Sequence, residues 1–112
     1  MIDTTCLEEA IIGCILMNGD LFIPLKGELS CEDFRNGICK EIFKVMTILE
    51  YKGLYIDPVM VVTYLDNVDK IPIVSQGDVY RLANESPGEK LFEQYVMELG
   101  EIRGEEFKEQ NK

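Results

Sequence analysis

A chain of 112 residues fits one domain with a buried core and leaves little room for a second. Its 46% apolar content can supply that core, while 21 acidic against 11 basic residues give a formal charge of −10. Duplex binding needs clustered Lys and Arg to displace phosphate counterions, and here the cations stand singly in two acidic halves, so direct nucleic-acid binding is not expected. A membrane span is not expected either: the longest apolar run, residues 10–17, falls well short of the roughly 18 residues needed. The first ten residues carry Asp3, Glu8 and Glu9 and no cation, the wrong flank for a secretory signal, which points to a cytoplasmic protein.

Leu7, Ala10, Ile11, Cys14, Ile15 and Leu16 recur at the spacing of an amphipathic helix over residues 5–17. Thr5 and Glu8 can form a capping box at its start, with Thr4 or Asp3 as competing caps, and Asn18-Gly19-Asp20 stops it. Leu21 to Leu29 is apolar but holds Pro24 and Gly27, which predicts a short or broken helix, with an extended segment as the alternative. Ser30-Cys31-Glu32-Asp33 reads as a helical turn that sends Phe34 inward, and Asn36-Gly37 breaks it. The clearest helix follows, with Ile38, Cys39, Ile42, Phe43, Val45, Met46 and Leu49 inward and Gly53 closing it.

Asp57 caps and Pro58 opens the next helix, whose buried side is expected to carry Val59, Val62, Leu65 and also Val61. Its β-branched run could also form a strand, but the Asp-Pro start and the helical neighbours favour helix. Residues 66–77 lack a period and read as loop. Asp78 is then placed as the cap of a short helix through Val79, Leu82 and Ala83, interrupted by Ser86-Pro87-Gly88. The last helix aligns Leu91, Phe92, Tyr95, Val96, Leu99 and Ile102, with Phe107 beyond and a charged tail from Glu105 that should fray. The pattern as a whole predicts an all-α fold, a compact bundle of about five to six helices.

Chemistry is sparse. There is no histidine, hence no imidazole base and no Glu-x-x-His metal motif, and no phosphate-cradling loop of the G-x-x-x-x-G-K-[ST] type. Cys6, Cys14, Cys31 and Cys39 form no C-x-x-C pair and read as reduced thiols. No catalytic residue, metal or cofactor is expected, and the chain by itself is read as a non-enzyme.

The run from Leu7 to Leu16, an acidic start leading into a small-Gly-small apolar stretch, is followed by Leu29-Ser30-Cys31-Glu32-Asp33-Phe34, by Ile42-Phe43, Gly53 and Ile56-Asp57, and by Ser86-Pro87 with Tyr95. In this order and spacing the chain resembles the amino-terminal domain of DnaB-type replicative DNA helicases over most of residues 5–99. It departs from that family at Cys39, where a histidine is usual, at Pro24 and Gly27, and in a shortened loop before Asp78 without the usual paired glycines. The resemblance implies a helical head at residues 1–85 and the first helix of a helical hairpin at 86–112, with the second hairpin helix and the ATPase motor absent. It implies a non-catalytic domain for protein interaction in DNA replication: self-association as a dimer or higher oligomer in the collar of a hexamer, and docking of primase or a helicase loader. Phe92, Tyr95 and Leu99 are the implied interface candidates, and Gly13, Phe34, Phe43, Gly53 and Asp57 the structural positions. The apolar stripe of the last helix should either fold back on the head or pair with another chain, and pairing is the expectation. A free-standing phage or mobile-element regulator of helicase loading is the alternative function, and an acidic DNA mimic, suggested by charge alone, is a further one.

Overall fold

The first helix, α1 (Thr5–Met17), is the axis around which the rest is built. Every residue from Ile11 to Leu16 is buried, because neighbours close on it from several sides rather than along one stripe. The computed structural model describes residues 2–25, 27–68 and 74–110. Among these it holds α1, α2 (Gly37–Tyr51), α3 (Pro58–Val68), α4 (Gln76–Asn84) and α5 (Phe92–Gln110), two 3₁₀ segments at Gly19–Leu25 and Cys31–Asp33, and no strand. The fold is all-α.

Local chemistry explains most boundaries. The segment expected as a short or broken helix is a 3₁₀ run with Pro24 inside it, a tighter form that occurs in short pieces. Gly19 starts it hard against the Ile56 carbonyl, where a side chain would collide. Asn36 does more than break a turn: its side-chain oxygen accepts from the Ile38 and Cys39 N–H groups at 3.0 and 3.2 Å and so caps α2. At the other end Gly53 adopts φ +73° while the Leu54 N–H returns to the Leu49 carbonyl at 2.9 Å. Asp57 Oδ1 accepts from the Met60 N–H at 2.8 Å, and Pro58 opens α3.

Several expectations shift by a residue or a face. The cap of α4 is Ser75, not Asp78; Asp78 is the third helical residue, and the two exchange hydrogen bonds of 2.9 and 3.1 Å in a capping box. In α3 Val61 is buried and Val62 and Leu65 pack against the core as expected, but Val59 is 59% exposed and Met60 and Tyr64 pack in addition. A run of β-branched residues carries no phase of its own, so packing chose the face. At α1 no Thr5–Glu8 box forms: Asp3 Oδ1 accepts the Thr5 N–H, and Glu8 turns inward. Of the loop expected at 66–77, residues 69–73 lie outside the described residues.

The core centres on Phe34, 1% exposed, whose ring lies 4.7 Å from Phe43; Phe22 completes the aromatic group 5.2 Å from Phe43. Burying each such side chain stabilises the fold by about 1.5–3 kcal/mol. The longest helix, α5, folds back on the head and packs along α1 and the 31–33 turn.

Candidate interaction surface

Glu8 is the residue from which this surface is organised. It sits one turn before Ile11 and Ile12 and two before Ile15 on the inward side of α1, and is 1% exposed. A buried carboxylate is costly unless paired and hydrogen-bonded. Here Oε1 accepts the N–H groups of Arg35 and Asn36 at 2.7 and 2.9 Å, and Oε2 accepts the Thr4 hydroxyl at 2.6 Å and Arg103 Nη2 at 3.3 Å.

Arg103 comes from α5, in line with the buried Val96 and Leu99, and only 10% of its side chain is exposed. Its fork uses every edge: Nε donates to the Asp33 carbonyl at 2.7 Å, Nη2 to Thr4 Oγ1 at 2.7 Å, and Nη1 to Glu106 Oε1 at 2.8 Å. Glu106 also pairs with Arg35. Burial works against the charge on Glu106, yet the hydrogen bonds from Arg103 and Arg35 outweigh it and hold its carboxyl below the usual glutamate value. The network joins α1, the 33–36 turn and α5, and no buried side-chain polar atom among the described residues lacks a partner. It also explains why helix persists through Gln110, where sequence composition predicts fraying from Glu105.

The three interface candidates on α5 are placed differently from one another. Phe92 is 4% exposed and Leu99 is fully covered, both in the chain's own core, because the Arg103 network holds α5 against α1. Of the stripe expected to pair with another chain, Phe92, Val96 and Leu99 are therefore covered within the chain itself, while Ile102 is only half-buried. Tyr95 is half-buried at the rim of that contact. What α5 leaves outward is Met97 and Phe107, each about two-thirds exposed.

The remaining positions are internal. Gly13 lies where α1 crosses α4, and a Cβ there would stand 2.6 Å from the Leu82 carbonyl oxygen. Phe34 and Phe43 are core partners, and Gly53 and Asp57 occupy the helix ends described above. Cys39 is buried beside this region; burial, reinforced by the charges of Glu8 and Glu9, pushes its thiol up to about 12. Cys14 is also buried and donates to the Gly88 carbonyl at 3.1 Å. Glu8, Arg103 and Glu106 escaped sequence reasoning. The available signal was an acid and a base at inward positions of two otherwise apolar stripes.

No helix among the described residues is long and apolar enough to cross a membrane. No curated protein sequence matches significantly. Among solved structures, the N-terminal domain of DnaB helicase from Mycobacterium tuberculosis is similar, with a TM-score of 0.76 at 20% identity over 85% of this chain and 69% of that one. At that identity the likeness establishes the fold. The profile of the DnaB-like helicase N terminal domain matches residues 3–101. The chain belongs to the DnaB-like helicase N-terminal domain family, a replication-associated domain.

Proposed function

We propose that this chain is the non-catalytic head of a replicative DNA helicase, serving self-association in the hexamer collar and the docking of primase or a helicase loader. The observation that carries the reading is the family match, which spans residues 3–101 and so takes in the helices before α5 and about half of α5. The Glu8–Arg103 network supports it. A long helix fixed rigidly to a small head is a means of holding other chains at a set angle, and rigid elements position contacts better than loops do.

The reading is tested by light scattering after size exclusion across a range of protein concentrations, together with retention of the cognate primase on the immobilised chain. A mass that rises with concentration and retained primase are expected. A strictly monomeric chain that ignores both primase and loader would sink the proposal.

A further inference from the structure

One edge of α5 borders two adjoining hollows. The first, about 560 Å³, is walled by Leu7, Ala10, Leu82 and Tyr95, with Asp3 and Glu85 at its rim. The second, about 620 Å³, has Ile2 and Ile102 in its walls and Glu98, Glu101 and Glu109 around it. Positions 95, 98, 102, 105 and 109 follow one another at three- and four-residue steps and so share one edge of the helix. Ile2 and Asp3 are consecutive and border one hollow each, so the two hollows are neighbours along α5. The edge of α5 from 95 to 109 that borders both hollows, taken together as one trough, is about 21 Å long at 1.5 Å per residue, the length of a four-turn helix.

Apolar side chains line the first hollow, Ile2 and Ile102 the second, and carboxylates outnumber cations around both, although Lys108, paired with Glu105, also borders the second. Glu98, Glu101 and Glu109 form no ion pair with any described residue, whereas Glu9 and Glu85 share Arg81 and Glu106 is held by Arg103 and Arg35. Glu9, Glu85 and Glu106 border the hollows too, so the carboxylates without an ion pair gather at the second hollow.

We propose that this trough receives a basic amphipathic helix of another protein, with its apolar stripe on Leu7, Tyr95 and Ile102 and its Lys and Arg side chains against the acidic rim. The proposal rests on the docking role given above and specifies the chemistry of the docked partner. Charge argues against a second copy as occupant: α1, α3 and α5 carry an acidic excess and α2 and α4 are balanced, so no α-helix of this chain offers the basic excess that the acidic rim would attract.

The test uses two synthetic 16-residue helical peptides with leucines at every third or fourth position, one with lysines flanking the stripe and one with glutamates. Binding to the full chain is followed by fluorescence anisotropy, and the contact is mapped by amide NMR shifts. The lysine peptide should bind, shift the amides of residues 7, 95 and 102, and weaken at least tenfold between low and high salt. The glutamate peptide should not bind. Glu98→Lys with Glu101→Lys should reduce binding at least tenfold. Asp20→Lys with Glu28→Lys, the same charge change away from the trough, should leave it within twofold. Equal losses in the two double variants, equal binding of the two peptides, or shifts confined to another face would overturn the proposal. Wild-type chain is assayed in parallel for self-association and primase retention. If those occur while the trough variants bind peptide normally, the trough assignment alone fails. If the peptide behaves as expected while both are absent, the collar-and-docking reading fails and the trough stands.

Discussion

Arg103→Met removes the guanidinium that pairs with Glu8 while keeping much of the side chain's apolar bulk. Three hydrogen bonds to Glu8 remain, from Thr4, Arg35 and Asn36, but the carboxylate, 1% exposed, is left without its cation. Breaking a buried pair on one side costs about 3–5 kcal/mol, far more than the pair's net worth, because the orphaned charge stays desolvated. With Arg103 itself 10% exposed, the lower end of that range, about 3 kcal/mol, applies. A domain of this size is stable by about 5–15 kcal/mol, so the variant should fold and its loss should be readable. At a slope of about 1–3 kcal/mol per molar urea, the midpoint followed by circular dichroism should fall by roughly 1–3 M. Glu8→Gln alone should also destabilise, since one face of its amide presents N–H groups to the guanidinium and hydroxyl. The double variant should cost at least about 1.5 kcal/mol less than the sum of the two, as expected for residues in direct contact. A loss below about 1 kcal/mol for Arg103→Met, the range of an exposed ion pair, would show that water screens this site and would refute the reasoning.

Glycine substitutions should divide by location. Gly13→Ala should destabilise by about 1–3 kcal/mol on the scale of overpacking, since backbone of α4 stands in the way, whereas Gly100→Ala and Gly104→Ala, where a Cβ meets nothing, should each stabilise by up to about 1 kcal/mol in the same urea titration. Thiol alkylation at pH 8 followed by mass spectrometry should label exposed Cys6 first; Cys39, with its thiol raised to about 12 and buried, should react only on unfolding, and early labelling of Cys39 would contradict its placement. The contribution of Glu106 should depend on pH with a fixed sign. Its carboxyl is depressed in the folded chain, so the stabilisation is present above the ordinary glutamate value of about 4.5 and is lost as pH falls below it. Hydrogen exchange of the last two turns of α5 should therefore accelerate, relative to the intrinsic rate, as pH falls from neutral to about 3, through the depressed folded value; unchanged protection across that range would count against the network.

The helices themselves were legible in the sequence. Three- and four-residue apolar spacing, an Asp-Pro start at Asp57 and a left-handed glycine at Gly53 act within one turn of chain, and such local signals survive without knowledge of the neighbours. The motif order carried the family in the same way. Tertiary structure decided which face turns inward where the sequence is evenly apolar, as in α3, where Val61 is buried and Val59 is not. It also decided whether the stripe on α5 meets the head or another chain. That outcome depends on Glu8 and Arg103, 95 residues apart, finding each other in a site dry enough to make their pairing matter. Neither residue announces this locally, because a charge's cost or benefit is set by the solvent it loses, and only the packed fold determines how much water remains.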